Sequence, residues 1–331
     1  EPLTRDAPNA ACLYHAVNQT VTPMGARRLR DWLTQPLANA AAIHARQLAV
    51  QMWVEDGARL EQLRNRLREV RDLERTLTRL SVGTGNGRDL LNLRFAIEQF
   101  PGLRSLIDEA HGEAGELELH DADDVPLLTQ LAAQLKELPE VVALIARAIV
   151  DEPPLALREG GIIREKFSAE LDELRGGASE GKEWIAQMQK REIENTGIPS
   201  LKVRFNNVFG YFIEVTKTHL GKVPTHYVRK QTVSNAERYI TDELKQMEDK
   251  VLGAQERSEK LEYELYLQVR EAVLEHLRAI QTAAAALAPR PIKAADHPTT
   301  ALLDFRPVFR NREAMGYILA YTSHNFELFG F

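Results

Sequence analysis

The chain has 331 residues, of which 44% are hydrophobic and 27% charged, a composition typical of a soluble protein with one large or two ordinary domains. Its single cysteine, Cys12, excludes an intrachain disulfide and fits a reducing compartment. No secretory signal opens the sequence, and the longest apolar run, residues 141–150, is too short to span a bilayer. We therefore expect no membrane partner.

Helical periodicity dominates the chain up to about residue 200. Between Leu60 and Leu80, apolar residues recur three or four positions apart, which predicts one strong amphipathic helix. The glycine-rich stretch Val82–Gly87 has helical patterns on both sides, so we expect a helix–helix connection and not a phosphate loop. Residues 127–150 are also predicted to be helical, with a break at Pro139.

Residues 176–182 match the nucleotide-binding pattern G-x-x-x-x-G-K. A working loop of this kind follows a strand and carries Ser or Thr after its lysine, to hold Mg²⁺. Here a helical pattern precedes the stretch, and Glu183 follows Lys182, which places an acid where phosphate would sit. We therefore expect a flexible joint between two helices that binds no nucleotide. The spacing of His and Cys residues likewise predicts no metal site, and no catalytic residues are expected.

One later stretch departs from the helical pattern. Lys202–Thr216, Tyr227–Val233 and Glu237–Ile240 are rich in β-branched and aromatic residues with polar residues interleaved, which predicts strands. Helical patterns lead in, over 182–195, and out, over 242–287; the second helix would be about 70 Å long if unbroken. The predicted fold class is mainly α: a core of long helices with a small antiparallel sheet inserted at the tip of a helix pair.

The predicted sheet region is basic in an acidic chain. Residues 182–241 contain ten basic and five acidic residues, a formal charge of +5, whereas the whole chain carries −6 and the remainder therefore −11. Such a contrast indicates a polyanionic partner that meets this region only. Charge alone leaves a second explanation open, because lysines also keep exposed sheet edges from pairing with other chains.

Three segments carry a resemblance to a known family. FNNVFGYFIEV and YVRKQTVSNAERYITDELKQMEDKVL resemble the clamp of the MutS family of bacterial DNA mismatch-repair proteins, and TVTPMGARRLRDWLTQPL is similar to the opening of the family's core, or lever, domain. The resemblance covers roughly residues 11–287. It implies a core in two parts, residues 1–181 and 242–331, with the DNA clamp inserted between them at 182–241.

The resemblance also implies which residues hold a DNA backbone. Asn206 and Asn235 match clamp asparagines that donate to phosphates, and the other predicted contacts are Lys202, Arg204, Arg229, Lys230 and Ser234. Structural roles remain open beside this one, since Asn206 is also a typical turn residue and Ser234-x-x-Glu237 a typical capping box for Asn235. Four aromatic residues could stack on bases but are predicted to form the core of the sheet: Phe205, Phe209, Tyr211 and Tyr227.

By the same resemblance, this fragment is not itself an enzyme. The family's ATPase domain, which binds ATP and Mg²⁺, is expected to lie outside the chain, so no cofactor is predicted within it. The implied partners are double-stranded DNA, a second copy of the protein and a MutL-type protein, and the implied location is the cytoplasm, with the nucleoid. Two alternatives stay open: a MutS homologue that clasps recombination junctions, and a structural coiled-arm protein that binds other proteins.

The last forty residues depart from the order of the family. In residues 292–331, Thr322, Asn325, Glu327 and Leu328 resemble the start of the MutS core, which normally precedes the sequence at Glu1. A displaced core start would place Phe331 near Glu1 and bury residues 322–329 against the helices that follow Pro23. The alternatives are an engineered permutation of the chain and an unrelated tail.

Overall fold

The computed structural model describes residues 12–114 and 127–289. Glu1 and residues 292–331 are not among the described residues. The predicted burial of residues 322–329, with Phe331 near Glu1, therefore lies outside the described part of the chain. The described residues form a core of helices, a long helix pair and one small sheet, so the predicted fold class is confirmed. The helices before the pair are α1 (Leu13–Val17), α2 (Pro23–Thr34), α3 (Ala40–Glu55), α4 (Gly57–Val70), α5 (Leu73–Ser81), α6 (Gly87–Glu98), α7 (Phe100–Ala114), α8 (Leu127–Ala132) and α9 (Pro139–Ala148).

The leucine-rich stretch between residues 60 and 80 is two helices, and the prediction of one helix was wrong. α4 ends at Val70, and the backbone of the next residue, Arg71, has a φ of 53°, outside the helical region. The carboxylate of Asp72 then accepts the backbone N–H of Arg75 at 3.2 Å and caps the start of α5. The apolar spacing continues through the break, because both helices pack on the same core.

The prediction of a helix–helix connection between α5 and α6 is confirmed. The connection is exposed at its start, residues 82–84, and buried at Gly85 and Gly87. The hydroxyl of the fully buried Tyr266 donates to the carbonyl of Gly85 at 2.7 Å. A Cβ on Gly85 would lie 2.8 Å from a Leu80 methyl group, so a larger residue does not fit there. The fully buried residues of the helical core include Leu80, Leu90, Leu93, Ile97, Phe100, Ile145 and Ile280.

Two long antiparallel helices, which we call the arms, connect this core to the sheet. They are α10 (Ala169–Thr196) and α11 (Asp242–Leu274). The prediction of a flexible joint at residues 176–182 was wrong, because this whole stretch is helical within α10. Gly181 instead permits close packing, since a Cβ there would lie 2.3 Å from Cγ2 of Val251 on α11.

The second arm ends before Leu287. α11 has 33 residues, about 50 Å at 1.5 Å per residue, and a turn at Glu275 and His276 separates it from α12 (Leu277–Leu287). The length of about 70 Å, which held only for a helix unbroken to Leu287, therefore does not apply. The turn lets Val273 on α11 and Ile280 on α12 both pack into the helical core.

A buried carboxylate fixes both arms to the core at a cluster that we call the arm root. Glu262 on α11 is 2% exposed and accepts the backbone N–H groups of Ile162 and Ile163. The guanidinium of Arg175, on α10, lies 2.9 Å from the same carboxylate. Ile163 pairs with Ile149, which directly follows α9, so this cluster joins both arms and the core in one network.

The sheet lies at the other end of the arms. Its strands are β1 (Lys202–Asn206), β2 (Gly210–Thr216), β3 (Val228–Thr232) and β4 (Ala236–Ile240), with a short 3-10 helix at Lys217–Lys222. All pairs are antiparallel, and the order is β1-β2-β4-β3. The strand predictions are confirmed. The first predicted segment, Lys202–Thr216, is divided into β1 and β2 by a turn that ends at Gly210, whose φ is 73°.

Two absences hold for residues 12–114 and 127–289. None of the helices there is long and apolar enough to cross a membrane. No three His, Cys, Asp or Glu side chains in these ranges are grouped so that they could hold a metal ion.

Candidate nucleic-acid interface

The sheet has one face against the arms and one face outward. Residues paired across antiparallel strands share a face, and the row Val203, Ile213 and Tyr239 belongs to the apolar cluster formed with the arms. This cluster also contains Met188 of α10 and Leu244 of α11. The alternate residues of each strand therefore point away from the arms, and they include Lys202, Arg204, Phe212, Glu214 and Arg238.

The outward face carries more positive than negative charge. Glu214 lies 3.6 Å from the Arg204 guanidinium and 3.4 Å from that of Arg238, so one carboxylate serves two cations. Arg238 also lies over the ring of Phe212, 4.4 Å from its centroid, which covers that ring on the outward side. Lys202, opposite Glu214 in the register, is exposed. The face can attract an anion because three cations share a single acid.

The turn between β1 and β2 is rigidly built around Asn206. Its side-chain oxygen accepts the backbone N–H of Val208 at 2.8 Å, and its carbonyl accepts the N–H of Phe209 at 3.2 Å. This is the turn role anticipated for Asn206. The side-chain oxygen is engaged within the turn, so the group of this exposed residue that is suited to a phosphate oxygen is the amide –NH₂.

Arg229 and Lys230 lie on β3 at an edge of the sheet, where the pairing with β4 is irregular. Both residues are exposed. The Lys230 ammonium donates to the carbonyl of Phe209 in the β1–β2 turn at 2.8 Å, and the Arg229 guanidinium lies 3.5 Å from Glu237. Arg229 is paired with Tyr239, so it belongs to the register of the arm-facing side.

Ser234 and Asn235 form the turn between β3 and β4, and both are exposed. The Asn235 carbonyl accepts the backbone N–H of Lys217 at 3.1 Å. The capping box suggested by Ser234-x-x-Glu237 was a wrong interpretation, because β4 and not a helix follows the turn. Glu237 instead accepts the hydroxyl of Tyr239 at 2.6 Å.

The predicted contacts fall into two groups at opposite ends of the sheet. Asn206 pairs with Gly210 at one end of β2, whereas Thr216 at its other end pairs with Ala236, beside Asn235. The length of β2 separates the two turns by about 20 Å at roughly 3.3 Å per residue. Of the two basic residues of β3, Lys230 contacts the Asn206 end of the sheet, through the carbonyl of Phe209.

The aromatic residues do not all form the core of the sheet. Tyr227 is buried, and its hydroxyl lies 2.5 Å from Glu192 of α10; burial, and then this carboxylate, raise the pKa of the phenol. Phe205, however, is 45% exposed and contacts the ring of Tyr211, so its prediction as a core residue was wrong. β1 is an edge strand, and no further strand covers this side chain.

Two basic residues of the interface were not identified from sequence. Arg238 lies at the centre of the outward face, and Lys217 is exposed beside the Asn235 turn. Strand alternation could have indicated Arg238, because it lies one residue from the buried Tyr239 in a predicted strand. The position of Lys217 depends on the pairing of β2 with β4, which the sequence pattern alone does not specify.

Comparisons with known proteins identify the family. The family model described as MutS domain III matches residues 2–289. The chain is 42% identical over 273 residues to the DNA mismatch repair protein MutS of Halothermothrix orenii, covering 82% of this chain and 29% of that protein. It is 45% identical over 284 residues to the protein of the same name from Symbiobacterium thermophilum, covering 86% of this chain and 31% of that protein. The chain thus spans about a third of the length of these relatives, and it belongs to the MutS family, of which it contains domain III.

Proposed function

We propose that this chain acts in DNA mismatch repair as the part of a MutS-type protein that holds duplex DNA. The observation that carries the proposal is the sheet at the end of the arms, whose outward face groups Lys202, Arg204 and Arg238 around one acid. A surface of this kind attracts the phosphate backbone of any duplex, because phosphate contacts carry no sequence information. The clamp therefore positions DNA, and the choice of a mismatch is made elsewhere in the protein.

The predicted contact residues divide this work by chemistry. Arg204 and Lys202 supply positive charge on the outward face, and Arg229 and Lys230 supply it at the β3 edge. Amide and hydroxyl groups at the two turns donate to phosphate oxygens: Asn206 at one end of the sheet, and Ser234 with Asn235 at the other. Two groups about 20 Å apart contact phosphates at separate places, which fixes the direction of the sheet along the duplex.

The arms connect this grip to the rest of the protein. α10 and α11 run from the sheet to the arm root, where Glu262 joins them to the core. In the intact protein the helical core links DNA holding to ATP hydrolysis in another domain, which binds ATP and Mg²⁺. Residues 176–182 do not fit that role, because a helical backbone has its N–H groups occupied and cannot cradle phosphates.

Further partners and the location follow from the same proposal. A second copy of the protein closes the grip around the duplex, and a MutL-type protein binds the loaded complex. The protein works in the cytoplasm on the nucleoid. This fragment supplies the DNA grip and no catalysis of its own.

Salt-dependent duplex binding tests the proposal. The 331-residue chain is titrated against matched and mismatched duplexes of equal length at several salt concentrations. We expect equal affinities that fall with salt, with a log–log slope of about −0.9 per phosphate neutralised. Arg204→Ala combined with Lys202→Ala weakens binding to both duplexes alike and makes the slope shallower. Lys136→Ala, at an exposed lysine of the core, is the matched control and leaves binding unchanged.

Two results would overturn the proposal. The first is an absence of duplex binding by the unaltered chain. The second is a change in the preference between matched and mismatched duplex when Lys202 and Arg204 are replaced, because residues that touch only phosphates cannot distinguish bases. Tighter binding to four-way junctions than to linear duplex would favour the role of a junction-clasping homologue instead.

A further inference from the structure

The two ends of the sheet differ in chemistry. The Asn206 end exposes three apolar side chains: Val208 is 81% exposed, Val228 58% and Phe205 45%. Val208 occupies the β1–β2 turn itself, between Asn207 and Phe209. Single exposed apolar residues are ordinary on protein surfaces. Here, however, three of them share the end of a basic sheet that is otherwise rich in polar residues.

The turn that carries Val208 is held in place from three directions. The Asn206 side chain accepts the N–H of Val208 at 2.8 Å, and the Lys230 ammonium donates to the Phe209 carbonyl at 2.8 Å. From α11, the Glu248 carboxylate accepts the backbone N–H of Tyr211 at 2.9 Å. A Cβ on Gly210 would lie 2.1 Å from this carboxylate, so the turn and the helix are in close contact. The valine is therefore presented on a fixed scaffold, which lowers the entropic cost of binding through it.

We infer that Val208 packs against the deoxyribose of a duplex backbone, next to a phosphate bound by Asn206. The inference rests on the proposed function and adds a contact that charge does not supply. Sugar and phosphate alternate along a DNA strand. A strand whose phosphate is bound by the Asn206 amide therefore places the carbon atoms of the adjacent deoxyribose beside Val208. The basic character of residues 182–241 favours this polyanion over an apolar protein surface.

This assignment gives Lys230 a second role, as a positioning residue. One of its three donors is directed to the Phe209 carbonyl, which fixes the turn, and the others are available to solvent or phosphate. The two kinds of contact differ in their response to salt. Replacing a cation that neutralises a phosphate makes the salt slope shallower, whereas removing a non-ionic contact lowers affinity equally at every salt concentration.

The experiment compares Val208→Ser with Val82→Ser in the 331-residue chain. Val82 is also an exposed valine outside regular helix, at 65%, but it lies in the connection between α5 and α6 and not on the sheet. Duplex affinity is measured at four salt concentrations, and the thermal unfolding midpoint verifies that each variant is folded. We expect Val208→Ser to reduce duplex affinity about three- to tenfold with an unchanged salt slope, because buried apolar groups are lost without loss of charge. Val82→Ser should bind as the unaltered chain does.

Lys230→Met provides an independent measurement. It removes the brace on the turn together with one charge, so it should both lower affinity and make the slope shallower. Combined with Val208→Ser, it should cost less than the sum of the two single losses, because the valine then lies on a loosened turn.

The outcomes separate this inference from the proposed function. If the unaltered chain binds duplex and Val208→Ser binds equally well, or changes the slope, only the inference is overturned. If the unaltered chain does not bind duplex, both fail together. If Val208→Ser reduces self-association in sedimentation and leaves duplex affinity intact, the turn contacts a second copy and the inference is wrong.

Discussion

Each end of the arms has a carboxylate that serves more than one donor, and the two differ in burial. At the arm root, Glu262 is 2% exposed and binds two backbone N–H groups and Arg175. On the sheet, Glu214 has a side chain 19% exposed and lies between Arg204 and Arg238. A buried carboxylate must keep its partners, because no water replaces them, whereas a partly exposed one exchanges partners with solvent at a lower cost.

The comparison explains how one pair of helices can be rigid at one end and available for binding at the other. The network at the arm root fixes the direction in which α10 and α11 leave the core. The ion pairs of the sheet are more accessible to water, so under the proposed function their arginine side chains are available to phosphates. Ion pairs between a carboxylate and arginine thus occur at both ends of the arms, and they differ in their access to water.

Removing the buried carboxylate should have the largest effect. Glu262→Ala leaves Arg175 and two backbone N–H groups without their acceptor, and we expect a loss of about 3–5 kcal/mol in the free energy of unfolding. Glu214→Ala is the matched variant on the sheet and should cost no more than about 1 kcal/mol. Urea unfolding followed by circular dichroism measures both. Equal losses in the two variants would show that burial does not separate the two clusters.

The next effect concerns the packing of the arms between these ends. A methyl group at position 181 would lie 2.3 Å from Val251 Cγ2, so Gly181→Ala should force α10 and α11 apart and cost about 1–3 kcal/mol. Gly177→Ala, four residues away in the same helix, meets open space and should stabilise the chain by up to about 1 kcal/mol, because alanine has the higher helix propensity. Thermal unfolding midpoints should therefore move in opposite directions.

A rescue variant makes this prediction more specific. Val251→Ala in the Gly181→Ala background removes the methyl group that clashes, so it should recover part of the loss. If the double variant is as unstable as the sum of the single ones, the clash is not the cause.

A smaller effect is expected on DNA binding from the partly exposed carboxylate of the sheet, Glu214. Glu214→Gln removes the acid shared by Arg204 and Arg238, so both guanidinium groups become available to phosphates. We expect duplex affinity to rise about two- to fivefold at low salt, the size of an exposed ion pair. Glu256→Gln, at an exposed acid on α11, removes the same charge away from the sheet and serves as the control. A rise of the same size in both variants would attribute the effect to net charge and not to the sheet.

The sequence predicted the elements of the sheet well and their arrangement poorly. β-branched and aromatic residues mark Lys202–Thr216 because a half-buried strand needs them on one face. The order β1-β2-β4-β3, which separates Asn206 from Asn235, depends on pairing between strands distant in sequence. The position of Lys217 beside the Asn235 turn and the role of Lys230 in the β1–β2 turn follow from that pairing, so neither could be read from the local pattern.

The helices show the complementary limitation. Leucine periodicity correctly marks residues 60–80 as helical but continues through the break at Arg71, because α4 and α5 pack on one core. Glycines at 176, 177 and 181 indicate weak helix propensity, yet α10 is continuous there. Packing on α11 outweighs propensity, and Gly181 is needed for that packing.

The smallest expected effect is no effect, and it concerns the G-x-x-x-x-G-K stretch between the two ends of the arms. A phosphate loop binds nucleotide through free backbone N–H groups, and those of residues 176–182 lie inside a continuous helix. Glu183 also stands where a magnesium-binding hydroxyl would be needed. Since a ligand that binds only the native state raises its stability, Mg-ATP should leave the thermal unfolding midpoint of this chain unchanged. Lys182→Ala should behave identically with and without nucleotide. An upward shift with Mg-ATP that Lys182→Ala abolishes would mean that α10 opens at its glycines to bind phosphate, and the rigid arm described above would then be wrong.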